Sequence, residues 1–403
     1  MTAYKPWSRP SLMIMVALLV LLGWFLIHPY LGQTNLKSLV STAGLSTVKV
    51  PPEFRVDLFA SGLQGPRFMR FGPNGSLYVA ERGAGRIVAL SDRDGDGVAD
   101  QTSVFAAQLE RPHSLVFHQN AMFVGVPSGI VRLRDNDGDG SAEERQMLID
   151  NYPTDGHSTR TVEFLPDGRM VVSVGSSCNV CEENDKRRAA VLIYDGPQAT
   201  GERVFARGLR NAVGLAVHPD SGDLWATNNG RDLLGDDLPP EALYIVRDGL
   251  DYGWPRCHNG TIEDPGYGKP GACRDVAVPI VNMQAHSAPL GLVFYTGNSF
   301  PREYQGDLFI AFHGSWNRSV PTGYKVVRLP LQGGKPRGPL EDFAVGWLDA
   351  AEGRVTGRPV GLAVGPDGAL YVSDDKAGMI YRISYAGRPI TRNTLPEVHI
   401  ALD

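Results

Sequence analysis

Cationic excess is missing from this chain. Its 39 lysines and arginines are outnumbered by 44 aspartates and glutamates, leaving a formal charge of −5. That balance argues against a nucleic-acid or anionic-membrane partner, either of which would select a basic face. Cysteine is scarce as well: four residues in two close pairs, Cys178/Cys181 and Cys257/Cys273. The first pair reads "CNVC" and is followed by Glu182 rather than histidine, so it is no c-type haem attachment site. Two pairs so far apart are a weak zinc signal. In an oxidising space an even count in close pairs predicts two disulfides, Cys178–Cys181 and Cys257–Cys273, each closing a short loop; a redox or metal role for "CNVC" is the alternative. A disorder signature is also absent, since 42% of the residues are hydrophobic and 21% charged.

One long apolar run stands at the N-terminus. Lys5 and Arg9 precede Leu12–Ile27, and the run continues through His28 and Pro29 to Leu31. It exceeds the roughly 7–15 residues of a secretory h-region and sits near the lower limit for a membrane-spanning helix. No small-x-small cleavage site lies close by; "STA" at 41–43 is too far beyond the run. The positive flank keeps the first residues cytoplasmic and exports the chain beyond the helix. We therefore expect residues 1–32 to be a single transmembrane signal-anchor helix and 33–50 a polar linker. The globular part would then sit at the cytoplasmic membrane, on its periplasmic or extracellular side. Cleavage of the segment, with release to the periplasm, is the alternative.

From Pro51 onward one unit keeps returning: an approach bearing arginine or glycine, an apolar strand, a Pro/Asp/Asn-Gly turn, then further β-rich strands. Its cores include "RFMRFGPNGSLYVAERGAGRIVAL", "RTVEFLPDGRMVVSVGS" and "VGLAVGPDGALYVSDDKAGMIYRISY". The strands alternate apolar and polar, the turns are of the kind hairpins need for positive φ, and 47 glycines and 29 prolines make turns frequent. Six copies predict an all-β, six-bladed β-propeller over 51–386, followed by a tail at 387–403. "EFRVDLFA" (53–60) precedes the first full unit and is expected to close the ring by joining the last blade. A two-sheet sandwich is the alternative, but its strands would not share one internal motif.

In a propeller, the loops between blades converge on one end of the central channel. The approaches to the inner strands here carry Arg67, Arg111 with His113, His157 with Arg160, Arg210 with Asn211, His286 and Arg358. Such a ring of guanidinium and imidazole groups suits a planar, multiply anionic ligand, because arginine forks onto carboxylates and histidine is a base at neutral pH. The plainer reading of each arginine is a clamp on the carbonyls of its own loop. Two stretches, "DRDGDGVAD" with Asp92, Asp94 and Asp96, and "DNDGDGSAEE" with Asp135, Asp137 and Asp139, begin like calcium loops. Position twelve is Ser103 in one and Gln146 in the other, which excludes an EF-hand and leaves acidic loops between blades, with peripheral calcium an alternative to simple Asx-Gly turns.

"GLRNAVGLAVHPDSGDLWATNNG", followed by "LYIVRDGLDYGWP", resembles the soluble glucose dehydrogenases and L-sorbosone dehydrogenases that use pyrroloquinoline quinone. "DGHSTR" before "PDG" is similar to the segment that carries their catalytic histidine, and "FHGSWNR" with "GYKVVR" to the sorbosone branch; the likeness spans about 51–386. It implies His157 as general base, taking a hydroxyl proton while hydride leaves the same carbon for the quinone. It implies Arg210, Asn211 and Arg358 as cofactor contacts, alongside Arg111, Arg160 and His286 of the ring. Calcium would be held by the backbone carbonyls of Gly230 and Arg231, with hard oxygen ligands as that ion requires. Two departures point away from glucose itself: Val213 stands where the glucose enzymes have glutamine, and their cofactor lysine has no clear counterpart in Lys325. Trp316 and Arg318 would form that wall instead. The reading is a membrane-tethered sugar dehydrogenase with pyrroloquinoline quinone and Ca2+, oxidising an aldose or a sorbosone-like aldehyde and passing electrons to an outside cytochrome or quinone. A calcium-dependent lactonase and a non-catalytic propeller that binds carbohydrate or protein are the alternatives.

Overall fold

Each repeat folds as a four-stranded antiparallel sheet, and the turn chemistry shows why. At "LPDGR" the Gly168 amide donates to the Leu165 carbonyl at 2.9 Å, with Gly168 at φ 86°, a backbone that a Cβ disfavours. The strands Arg160–Phe164 and Met170–Val174 then run back to back, Phe164 opposite Met170. These features come from a computed structural model, which describes residues 47–387. The anchor expected at 1–32, most of the linker and the C-terminal tail lie outside the described residues. Among the described residues no helix is long and apolar enough to cross a membrane.

Six such sheets are present, with innermost strands Pro66–Phe71, Ser114–His118, Arg160–Phe164, Leu215–Val217, Pro289–Phe294 and Pro359–Val364, here blades 1 to 6. Each inner strand neighbours those of the blades before and after it, and the last neighbours the first, so the sheets close into a propeller. Apolar layers between successive blades bury both faces of the central strands. Along the axis Phe68, Val213, Leu290 and Val360 meet and plug the channel. Close approach explains the repeated glycine there: a Cβ on Gly291 would lie 2.6 Å from the Val360 carbonyl, and one on Gly361 2.7 Å from that of Arg67.

The ring closes as the sequence suggested. Phe54–Ala60 supplies the outer strand of blade 6 by pairing with Met379–Tyr385. Phe59 is buried in this seam, edge-on to Tyr371 at 5.0 Å. Phe59→Ala is expected to cost about 3–5 kcal/mol, read as a lowered midpoint in denaturant with an unchanged slope.

Strand direction alternates within a blade, so the loops entering inner strands share one end with those joining second to third strands. The acidic loops take the other end, a correction to their expected place between blades. Asp92–Asp96 joins the third and fourth strands of blade 1, and Asp135–Asp139 those of blade 2. Their first carboxylates shape the turns, Asp92 accepting from Gly95 and Gly97 and Asp135 from Gly138 and Gly140, and in each loop the three aspartates converge within 4.8 Å of one another.

Candidate active site

Above the apolar plug, the entry loops meet the second-to-third connections 175–189, 229–240 and 313–324 of blades 3, 4 and 5. His157 lies on the entry loop of blade 3. Its Nδ1 is 3.0 Å from both the carbonyl and the hydroxyl oxygen of Ser176, whose own O–H donates to the Cys178 carbonyl at 2.7 Å. With that hydroxyl proton committed, Nδ1 must be the donor, which leaves the Nε2 lone pair bare. Burial, and then the charge of Arg210, lowers the His157 pKa to about 4. Gly175 makes room: a Cβ there would lie 2.5 Å from His157 Cβ and 2.8 Å from Asn211 Oδ1, so these two side chains flank the same glycine.

Arg160 is fully buried beneath this loop. Its guanidinium donates to the carbonyls of His157, Thr159 and Pro153 at 2.9, 2.8 and 2.5 Å. It thus clamps the loop that holds the base, the plainer of the two roles open to it in the sequence.

Arg210 is equally buried but ties two loops together. Nε donates to the Asn179 carbonyl at 2.9 Å, and Nη2 to Asn179 Oδ1 at 3.0 Å and Asp232 at 2.8 Å. The amide of its neighbour Asn211 is half-buried and has no side-chain hydrogen bond among the described residues. In the 229–240 loop, the carbonyls of Gly230 and Arg231 accept no hydrogen bond among the described residues, so two adjacent hard oxygens remain available to a cation. Beneath them Glu241 accepts from the Gly230 amide at 2.6 Å, and burial raises its carboxyl to about 7.

The opposite side of the mouth carries a network that the sequence did not reveal. His313 Nε2 lies 3.0 Å from Asp375, which also receives Arg67 at 2.5 Å, and Arg67 Nε donates to His113 Nδ1 at 3.3 Å. Burial alone would raise the Asp375 carboxyl, but His313 and Arg67 bring it down to about 2. His113 is then left with a buried Nε2 that has no partner among the described residues. Arg358 lies alongside, donating to the carbonyls of His313 and Gly314 at 3.2 and 3.0 Å. Arg82, another residue the sequence did not single out, is half-buried, with a guanidinium unpaired among the described residues; burial and then the charges of Arg67 and Arg111 lower its pKa. Arg111 is exposed, at φ 37°, and its one ion pair among the described residues is with adjacent Glu110 at 3.6 Å.

Several expected contacts are committed elsewhere. Arg318 donates to the Asp236 carbonyl and to Asp237 at 2.9 Å, binding the 313–324 loop to the 229–240 loop. The Arg231 side chain pairs with buried Asp264, His286 Nε2 meets the Gly235 carbonyl at 2.9 Å, and Lys325 pairs with Asp342 on the neighbouring strand. Trp316 is 71% exposed, and Val213 faces the axial plug. Cys178 is bonded to Cys181 and Cys257 to Cys273.

Comparison with known proteins places this mouth in context. A family model described as a domain of unknown function (DUF7133) matches residues 41–314, and one described as TrAA12-like matches 263–386. An uncharacterized protein of Borreliella burgdorferi is 28% identical, over 84% of this chain and 91% of its own. A pyrroloquinoline quinone-dependent pyranose dehydrogenase of Coprinopsis cinerea is 27% identical over 84% of this chain, which spans about half (55%) of that protein. Among solved structures, the holo form of the quinone domain of that Coprinopsis enzyme superposes with a TM-score of 0.72 at 24% identity, covering 84% of this chain and 97% of the domain. The calcium structure of a Trichoderma reesei carbohydrate-active enzyme of family AA12 gives 0.72 at 21%, covering 84% and 97%. The structural likenesses establish the six-bladed fold. Relatives whose names state an activity are pyrroloquinoline quinone-dependent or aldose sugar dehydrogenases.

Proposed function

This chain belongs to the family described as a domain of unknown function (DUF7133), and we propose that it is a sugar dehydrogenase using pyrroloquinoline quinone and Ca2+. The observation that carries the reading is a neutral imidazole base with a bare Nε2, His157, set in a mouth where cations outnumber their partners. The donor set fits a planar polycarboxylate: the unpaired guanidinium of Arg82, exposed Arg111, the free amide of Asn211 and the orphaned Nε2 of His113. A calcium-dependent lactonase is disfavoured because the mouth carboxylates Asp232 and Asp375 are already paired with Arg210 and Arg67. When bound, the quinone supplies the hydride acceptor, and calcium would act as a Lewis acid held by the Gly230 and Arg231 carbonyls.

His157 takes the hydroxyl proton at Nε2 while Ser176 keeps Nδ1 protonated and the ring in place. Arg160 holds the backbone under the imidazole, and the plug of Phe68, Val213, Leu290 and Val360 closes the floor to water. The substrate is an aldose or sorbosone-like aldehyde, and electrons leave for an external cytochrome or quinone. The apolar segment Leu12–Ile27 tethers the domain to the cytoplasmic membrane on its exported side.

Titration of the full chain with pyrroloquinoline quinone, with and without calcium, tests the reading by absorbance; dye reduction with a panel of aldoses tests turnover. Calcium-dependent, stoichiometric binding with sugar-driven reduction is expected, and a folded chain that ignores micromolar quinone overturns the reading. The pH profile is a separate check. With its pKa lowered to about 4, His157 stays neutral from about pH 5 upward. The acid limb of kcat/KM is therefore expected near pH 4, well below the value near 6.5 of an ordinary imidazole.

A further inference from the structure

The hydrogen-bonded series His313, Asp375, Arg67, His113 crosses blades 5, 6, 1 and 2, and its two middle members decide where each imidazole keeps its proton. Asp375 is held ionised by His313 and Arg67 and can only accept, so His313 Nε2, 3.0 Å away, carries a proton. A guanidinium can only donate. Arg67 Nε, 3.3 Å from His113 Nδ1, therefore makes that nitrogen an acceptor with no proton of its own. His113 must then be the Nε2–H tautomer, the reverse of His157. Its backbone leaves it little freedom: the amide donates to the Gly125 carbonyl at 2.9 Å, and the carbonyl accepts from the Phe68 amide at 3.1 Å. The ring lies 4.6 Å from that of Phe68, a member of the axial plug. His113 is 1% exposed, yet its Nε2 has no partner among the described residues. A buried N–H left bare is costly and calls for an acceptor. Burial, then the charges of Arg67 and Arg82, holds the imidazole well below its ordinary pKa, which places the unpaired Arg82 guanidinium close to it.

We propose that this series is a positioning device that presents His113 Nε2–H as a fixed donor to a carboxylate oxygen of the ligand, with Arg82 supplying the charge. That the ligand is the quinone rests on the proposed function, but the tautomer belongs to the chain alone. An uncharged donor adds direction without adding a cation to a wall that already holds Arg67, Arg82, Arg111 and Arg358. The charge of Arg67 is offset by Asp375, and Arg358 braces the far end through the carbonyls of His313 and Gly314. With Arg67 removed, nothing among the described residues would hold His113 Nδ1, and the proton would be shared between the two nitrogens.

The test uses the full chain with 15N-labelled histidine, first without quinone. His113, identified by the signal lost in His113→Phe, is expected as the Nε2–H tautomer, and in Arg67→Met as a mixture of both. Where Arg67→Met alone fails to fold, Arg67→Met/Asp375→Asn removes both charges of the buried pair and is expected to give the same mixture. Titration with quinone, followed by absorbance, then separates a donor from a packing role. His113→Phe keeps a ring against Phe68 without a donor, and is expected to weaken quinone binding about tenfold. His113→Gln returns an N–H near the position of Nε2, and is expected to recover affinity to within about threefold of the intact chain. An Nδ1–H ring in the intact chain, or a His113→Phe variant that binds quinone as tightly as that chain, overturns the proposal. An Nε2–H tautomer that depends on Arg67, in a chain that never binds quinone, keeps the positioning role of Arg67 and removes the proposed function instead.

Discussion

Replacing His157 with alanine is expected to lower kcat for sugar oxidation by about 10²–10⁴-fold, the range for loss of a positioned general base, while quinone affinity stays within about twofold. The two effects separate because the imidazole and its loop are held by different groups. Arg160 grips the carbonyls of Pro153, His157 and Thr159 and has no bond to the imidazole, so the loop keeps its path in the variant. Arg210, Asn211 and Arg82 likewise keep their places, since none of them bonds to the imidazole. Steady-state rates with an artificial dye, set against an absorbance titration of the same variant, measure both quantities. A loss of binding equal to the loss of rate would mean that His157 holds the cofactor instead of taking a proton.

The fold was legible because it is written in short-range chemistry. Alternating strands and glycine turns repeat six times, and "EFRVDLFA" carries the same alternation without a unit of its own, which left it to complete blade 6. The base was legible for a related reason: an entry loop must end at the channel mouth, so His157 had to stand there. Position along the chain does not show which partner a guanidinium finds, however. Arg160 opens an inner strand and Arg231 and Arg318 occupy mouth loops, yet all three are bonded to a loop carbonyl or a carboxylate of the protein itself. His313, Asp375 and Arg82 were missed because they follow second strands, whose ends reach the same mouth from a part of the repeat that looks unremarkable in sequence. Inspecting the residue after each second strand, in every blade, is the signal that finds them. Asn179 was hidden more deeply, since its role exists only once a disulfide turns it toward a neighbouring blade.

Arg210→Ala is expected to have the largest effect on the site as a whole, with quinone affinity down by at least about tenfold and stability by about 1–3 kcal/mol, the cost of leaving half-buried Asp232 and the Asn179 acceptors without their charged donor. Asp232 loses its cation, and both acceptors on Asn179 lose a donor, so the 175–189 and 229–240 loops lose the arginine that joins them. Lysine is not expected to rescue the variant. Its single ammonium cannot span Asn179 and Asp232 in the plane that Nε and Nη2 occupy. A pH profile distinguishes this local effect from simple unfolding. After burial, the Arg210 charge is the largest influence lowering the His157 pKa. Removing a cation stabilises the imidazolium, so the pKa must rise from about 4 toward its ordinary value near 6.5, and the acid limb of whatever kcat/KM survives must move up with it. Arg318→Ala, which removes a cation that does not figure among the influences on His157, is expected to leave that limb in place. A limb that stays near pH 4 in Arg210→Ala would show that burial, with the charges of Arg188 and Arg160, sets the base, and that Arg210 serves the loops without tuning the chemistry.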